Sequence, residues 1–478
     1  MSLFRRKPIA VEQQAGTVLA RTLSWPHLVA LGVGAIVGTG ILTLIGVGAD
    51  RAGPAVILSF VIAGAICACA ALAYAEMATM IPASGSAYTY SYVALGEVIA
   101  WVIGWSLILE YSLVVSTVAV GWSGYASALL TPWGFPVALT QGPELGGVVN
   151  VPAVFIIAVV AGLLSLGTKE SATLNAVLVV VKLVALAVFV AVAVPHFDGA
   201  HLDPFMPFGF GKSVSPDGVE RGVMAAAAII FFAFYGFDAI STAAEETKNP
   251  GRDLAIGIVG SMVACVIIYM GVAVAAVGAL RFSAFADSPE PLALILRGIG
   301  RPGFATFLAA SAVIALPTVL LGFLFGQSRI FFVMARDGLL PASLAKVSRR
   351  GTPVRITVLT ALLVAVIAGV MPIDAIAALA NAGTLAAFVA VCVAMLVMRR
   401  RAPDAKRTFR TPLAPLVGTV GVLGCVYLFF SLPSKTQWYF VLWNAAGLAV
   451  YFAWGRKRAG RRLVPDARHP GLDPGSRC

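Results

Sequence analysis

The chain has 478 residues, 59% of them hydrophobic and only 12% charged, with a mean hydropathy of +0.92. Soluble domains carry roughly 25% charged residues, so this composition excludes an ordinary soluble enzyme and predicts a protein with many membrane spans. The net charge of +12 is concentrated in clusters such as Arg5-Arg6-Lys7, Arg349-Arg350, Arg399-Arg400-Arg401 and Arg456-Lys457-Arg458 between apolar runs; as positive-inside segments they orient the chain in a bilayer and leave no case for a nucleic acid partner.

Residues 1–24 are basic and polar without the apolar core of a signal peptide, and read as a cytoplasmic N-terminal segment. The first apolar run, Trp25–Gly48, is long enough to cross a bilayer. Its middle, Gly34-Ala-Ile-Val-Gly-Thr-Gly40, is poor helix material, because each glycine costs about 1 kcal/mol in a helix interior and Thr39 is β-branched. Free backbone groups in hydrocarbon cost several kcal/mol each, so a break here must face protein, water or a ligand. A glycine-interrupted span is the mark of a discontinuous transporter helix. Close small-xxx-small helix packing is the other reading; a dinucleotide fingerprint lacks its strand and amphipathic helix. At a break, the amides of Gly38, Thr39 and Gly40 at a half-helix N-terminus would suit a carboxylate.

The second run spans Pro54 to about Tyr74, and Glu76–Tyr92 follows as a polar-aromatic stretch without Lys or Arg, which predicts a loop folded into the protein as part of an inner gate. The third run, Leu95–Leu130, is long and buries Glu110; the fourth, Val151–Leu166, ends at the turn Gly167–Ser171. The fifth, Leu174–Val194, is apolar except for Lys182, and the sixth, Gly222–Ala244, contains Phe232-Ala-Phe-Tyr-Gly-Phe-Asp238. Six more follow at Leu254–Leu280, Phe304–Ala335, Ile356–Val370, Asp374–Met398, Pro412–Leu432 and Trp438–Trp454. The expected fold is an all-α membrane protein of twelve transmembrane helices spanning residues 25–455, with both termini cytoplasmic and a basic, disordered tail over 456–478. The first and sixth spans both carry a mid-membrane irregularity, and the third and eighth are both long. That correspondence predicts an inverted repeat, five spans over about 25–195 and five over about 221–399, with two extra helices over about 412–455.

Three charges lie inside these runs. Lys182 has apolar neighbours on either side, where a charge costs about 2.5–3.5 kcal/mol even on insertion scales; it reads as a lysine bonded to backbone carbonyls, as a titrating or cation-mimicking group, or as both. Asp238 follows the irregularity of the sixth span and reads either as the partner of a substrate amine or as a cap on the second half-helix. Glu110 pairs with Lys182 or with a polar group of the cavity. Phe232 and Tyr235 flank the break and would form an aromatic lid, or pack. The six cysteines have no CxxC spacing and read as apolar fillers. His27, His196, His201 and His469 are too dispersed for a metal site or a triad, and no GxSxG or Walker motif occurs, so neither enzyme chemistry, nucleotide nor cofactor is expected.

At these residues the chain resembles the amino acid–polyamine–organocation superfamily, and within it the cationic amino acid transporter family. The motifs are GAIVGTGI from Gly34, PASGSAYTYSYVALGE from Pro82, GWSLILEY from Gly104, GTKESATLN from Gly167, FYGFDAISTAAEETKNP from Phe234 and MARDGLLP from Met334. They reach from the first span through the loop after the eighth; the last third matches by span pattern only. The resemblance implies the five-plus-five fold with discontinuous helices 1 and 6 and alternating access around a central site. It implies that Gly38, Thr39 and Gly40 hold the substrate carboxylate. The backbone around Ile36, Phe232 and Tyr235, together with Asp238, would receive the α-amine. It further implies that Lys182 replaces a coupling sodium ion, hence proton coupling. The family pattern has an acidic residue where Ser106 stands, a departure that bears on any preference for cationic side chains. The expectation is an inner-membrane symporter of α-amino acids and protons, with an amino acid/amine exchanger as the alternative. A sensor without transport is a more remote one, for which the termini are short.

Overall fold

The computed structural model describes residues 5–9, 19, 21–130, 133–143, 146–286, 288, 290–348, 352–371 and 373–455. The expected tail over 456–478 and most of the N-terminal segment lie outside them.

Glycine and proline punctuate the apolar runs, and helices begin and end there. The first run is three helices, α1 (Trp25–Ile36), α2 (Thr39–Leu42) and α3 (Leu44–Ala52); Gly53, at φ +63°, turns the chain into α4 (Val56–Met80). Next come α5 (Ser86–Ala94), α6 (Glu97–Leu130), α7 (Val151–Leu166) and α8 (Thr168–Ala193). A loop with the hairpin β1 (Ser213–Val214) and β2 (Glu220–Arg221) leads to α9 (Val223–Ile230) and α10 (Phe237–Thr242). Then follow α11 (Pro250–Ala279), α12 (Pro291–Gly298), α13 (Pro302–Ala315) and α14 (Pro317–Arg336). The chain ends with α15 (Val354–Val370), α16 (Ile373–Arg401), α17 (Ala414–Ser431) and α18 (Ser434–Val450). Each helix from α11 to α14 opens on a proline in its first turn, where the missing N–H costs nothing.

Among the described residues, eight helical stretches are long and apolar enough to cross a membrane, and Trp25–Ile36, Val151–Leu166 and Val354–Val370 are shorter apolar helices. The outer surface fits such a setting: Ile267, Val366 and Phe430 are 68%, 66% and 67% exposed, as suits hydrocarbon better than water.

Two expectations need correction. The stretch Glu76–Tyr92 is not a loop: it is the end of α4 and most of α5, with only residues 81–85 between them. It is buried, as expected, and a buried backbone must satisfy its own N–H and C=O groups, which a helix does. Its polar tips meet protein: Tyr88 Oη donates to Asp337 Oδ2 at 3.0 Å, Tyr92 Oη to Glu97 Oε2 at 2.9 Å, and Ser241 Oγ to Ser86 Oγ at 2.7 Å. The eighth run is likewise not one helix, because Pro317 restarts it as α14.

The face bearing the basic loops is held by ion pairs. Arg329 of α14 is 1% exposed and forks onto the fully buried Glu246, Nη2 to Oε1 at 3.0 Å and Nε to Oε2 at 3.2 Å, with its guanidinium 3.7 Å from the centre of the Phe325 ring. Arg336 grips Glu245 through two 2.8 Å bonds. Burial opposes ionisation of Glu245, but the Arg336 guanidinium outweighs it and holds the carboxyl below its usual range. Lys7 reaches Asp337 at 2.7 Å, and residues 22–23 pair with Glu246 and Lys248, so the N-terminal segment closes over this face. Glu76 receives Arg399 at 2.7 and 2.6 Å and Arg407 at 3.2 Å, tying α4 to the α16–α17 loop. Breaking a buried pair strands its partner at a cost of about 3–5 kcal/mol. Arg329→Ala is therefore expected to lower the thermal-unfolding midpoint sharply, and Arg329→Met combined with Glu246→Leu to restore much of it; melting curves of the purified variants check this.

Candidate functional site

The site is built where two helices lose their backbone ladder. α1 stops because Val37 is extended, with φ −75° and ψ 100°, and its last carbonyls need other donors. Lys182 Nζ donates to the carbonyls of Gly34, at 2.8 Å, and of Val37. Thr318 Oγ1 of α14 shares the Gly34 oxygen at 3.2 Å. Tyr269 Oη of α11 reaches Ile36 O at 2.7 Å, and Asn175 Nδ2 of α8 reaches Ala30 O at 3.0 Å. The buried Lys182 amine thus sits at the negative end of a half-helix, where the backbone dipoles favour its protonated form.

The second break follows α9. A 3₁₀ turn over Phe231–Ala233 gives way to Gly236, whose φ of +125° is open to glycine and strained for other residues. The two breaks touch backbone to backbone. A Cβ on Gly40 would stand 2.3 Å from Ala233 Cα, and one on Gly236 would stand 2.9 Å from Ala35 C and 3.0 Å from Ile36 N. The two readings of the glycines therefore hold together: they interrupt the helix and let a second backbone approach.

Asp238, fully buried in the first turn of α10, accepts the Gly236 N–H at 3.0 Å on Oδ1 and the Tyr111 hydroxyl on Oδ2. In this conformation it caps its own half-helix. Glu110, also fully buried, accepts Thr384 Oγ1 at 2.6 Å on Oε1, while among the described residues Oε2 has no hydrogen-bond partner. Of its two expected pairings the structure shows the polar one, with α16, and none with Lys182. Phe232 and Tyr235 meet edge to face at 5.0 Å between ring centres, and Tyr235 meets Phe323 of α14 at 5.9 Å. Val319 packs against Gly38, and Ile36 is buried. The Thr39 backbone begins α2; its side chain lies outside the described residues.

Ser106 faces elsewhere. Its Oγ donates to Asn444 Oδ1 of α18 at 3.0 Å, beside a Trp105–Trp443 stack whose indoles each donate to the other's carbonyl. Sequence reasoning overlooked Tyr111, Asn175, Tyr269, Thr318 and Thr384. Single Tyr, Asn or Thr residues in apolar runs look like packing, and the signals were the adjacency of Tyr111 to Glu110 and the place of Tyr111 and Asn175 at the ends of two of the motifs above.

The family model for amino acid permeases matches residues 23–453. The branched-chain amino acid permease BcaP of Bacillus subtilis (strain 168) is 43% identical over 96% of this chain and 98% of its own length. The methylthioribose transporter of the same organism is 41% identical over 96% of this chain and 99% of its own. The vacuolar cationic amino acid transporter 2 of Arabidopsis thaliana is 40% identical over 84% of this chain and 64% of its own. With both breaks, Lys182, and helices through α18 inside the matched region, the chain belongs to the amino acid permease family of multi-pass membrane transporters.

Proposed function

We propose that this permease carries α-amino acids inward across the cytoplasmic membrane by alternating access, coupled to protons. The observation that supports this best is the mutual contact of the two breaks, with Lys182 on the carbonyls of one and Asp238 at the start of the helix after the other. The amino acid's carboxylate would take the amides of Gly38, Thr39 and Gly40. Its ammonium would take the carbonyls around Ile36 and Phe232–Tyr235, with Asp238 turning from its cap toward the substrate. Protonated Lys182 holds the end of α1; the neutral amine lets it go, so that binding on one side and release on the other follow the proton.

In the matching topology the basic loops and both termini are cytoplasmic, α1–α8 and α9–α16 form the two inverted repeats, and α17–α18 are appended. The ion-paired face is then the closed inner gate. Neutral aliphatic amino acids are the favoured cargo: Val319, Phe232, Tyr235 and Phe323 make the surroundings of the breaks apolar, and position 106 offers no charge and faces α18. The name of the 43% identical relative agrees. A cationic cargo is the second reading, favoured by Glu110 Oε2, which has no hydrogen-bond partner among the described residues.

Proteoliposome uptake of L-leucine, L-alanine and L-arginine under an inward proton gradient decides between them. Accumulation of L-leucine that collapses with a protonophore supports the reading; uptake only into vesicles preloaded with amino acid or amine makes the protein an exchanger. Removing one member of a buried charge pair costs about 2–5 kcal/mol. Asp238→Ala is accordingly expected to weaken amino acid binding by a comparable amount in the same vesicles, with the protein still folded by size-exclusion profile.

A further inference from the structure

Trp122 and Tyr125 stand three positions apart on α6 and so share a face of that helix. Each donates to a backbone carbonyl that an interrupted helix has left without its usual donor. Tyr125, 2% exposed, reaches Leu42 O through its hydroxyl at 3.0 Å. In a continuous helix the Gly46 N–H would serve that oxygen. It bonds Thr43 O at 3.2 Å instead, where α2 gives way to α3. Trp122 Nε1 reaches Val313 O at 2.6 Å. That oxygen lies four residues before Pro317, which has no N–H to offer it.

Both contacts lead to the first break. Leu42 N donates to Gly38 O at 3.1 Å, so one hydrogen-bonded turn joins the residue that Tyr125 holds to the glycine at the break. Just past Pro317, Thr318 Oγ1 reaches Gly34 O at 3.2 Å and Val319 packs against Gly38. α6 is itself tied to other helices. Ser116 Oγ donates to Val364 O of α15 at 3.0 Å, and Ser123 Oγ to the Oδ1 of Asn150, the N-cap of α7, at 2.6 Å. The helix is a post braced by α7 and α15, and Trp122 and Tyr125 are its grip on the two interrupted runs.

We propose that Tyr125 and Trp122 are positioning residues for amino acid recognition, holding the Gly38–Leu42 turn and the Pro317 kink at the spacing that the carboxylate end of the substrate requires. The proposal rests on the assignment of Gly38, Thr39 and Gly40 to that carboxylate given above. Neither side chain touches the substrate: Tyr125 acts through Leu42, and Trp122 through Thr318 and Val319. The ammonium end is served separately, because Asp238 is held by the Tyr111 hydroxyl and the Gly236 N–H.

The test uses the full-length protein in proteoliposomes, with whichever of L-leucine, L-alanine and L-arginine the wild type carries best as labelled substrate. Three unlabelled competitors are compared by the concentration that halves uptake: the free amino acid, its carboxamide, which lacks the carboxylate, and its N-acetyl form, which lacks the ammonium. Tyr125→Phe removes a single oxygen atom. It is expected to raise the half-inhibiting concentration of the free amino acid and of the N-acetyl form roughly three- to tenfold, the net worth of one neutral hydrogen bond. The value for the carboxamide should stay within about twofold, and Trp122→Phe should act in the same sense. A merely structural role would move all three competitors together. An unchanged value for the free amino acid, or a parallel rise for all three in folded protein, overturns the role of the residue replaced; if Trp122→Phe does not fold, Tyr125→Phe decides alone. Wild-type protein that takes the free amino acid and its carboxamide equally well removes the carboxylate assignment itself, and the positioning role falls with it.

Discussion

Gly40→Ala is expected to abolish transport and to destabilise the protein more than any other single-methyl addition to the first broken helix. The new Cβ would stand 2.3 Å from Ala233 Cα and 2.5 Å from Ala233 Cβ, whereas carbon atoms rest about 3.5–4.0 Å apart. The obstacle is backbone, with no flexible side-chain end to swing aside, so the two breaks themselves must part. Overpacking of this kind costs about 1–3 kcal/mol, and separation would also misplace the groups that the breaks free. Gly38→Ala meets only Val319 Cγ2; it should be milder and be relieved by Val319→Ala. Gly162→Ala on α7 has open space around it and should be neutral or stabilising by up to about 1 kcal/mol, the helix-propensity difference. Melting temperature and uptake measured across the series give the ranking.

Lys182→Met is expected to lower proton-driven accumulation by about a hundredfold, the lower end of what a positioned proton transfer contributes, and to weaken exchange of amino acid across the vesicle wall as well, because the end of α1 then loses the lysine that holds it. Methionine keeps the length and apolar stem of the side chain but loses the donors to Gly34 O and Val37 O. Lys182→Arg is the sharper variant. Arginine restores donors for both carbonyls yet stays protonated at any accessible pH, so it should hold the end of α1 without releasing a proton, and accumulation should stay lost. Recovery of pH-driven accumulation by Lys182→Arg would reduce the lysine to a structural tie. Proteoliposome flux with internal and external pH set independently reads both outcomes.

How much of this was legible in the sequence follows from what kind of signal each feature leaves. The breaks showed because glycine clusters and Gly236-Phe237-Asp238 stand out against otherwise continuous apolar runs, and a lone lysine in such a run is conspicuous. That Lys182 binds carbonyls of α1, with Thr318 holding the same helix end, was one of the readings left open. Choosing it needed the packing of α8 and α14 on α1, which no local pattern encodes. Asp238 shows the same limit: whether it caps α10 or faces a substrate depends on Tyr111, 127 positions away in the chain. The mistaken loop at Glu76–Tyr92 came from taking a polar stretch interrupted by Pro82 and Gly85 for irregular backbone. Its Ser and Tyr side chains find partners inside the protein, so helix won. Ser106 drew attention by its position in a motif, yet it belongs to the α6–α18 contact.

The central claim is that the two breaks recognise the charged ends common to α-amino acids. The most direct measurement is thermal stabilisation of the purified protein by the best-protecting free amino acid among L-leucine, L-alanine and L-arginine, compared with its N-acetyl and carboxamide derivatives. A ligand that binds only the folded state at 100 times its Kd stabilises by about 2.7 kcal/mol. The account predicts a clear rise in melting temperature with the free amino acid and almost none with either blocked form. Equal protection by the blocked forms would contradict it, because binding would then owe nothing to the amides and carbonyls that the broken helices leave open.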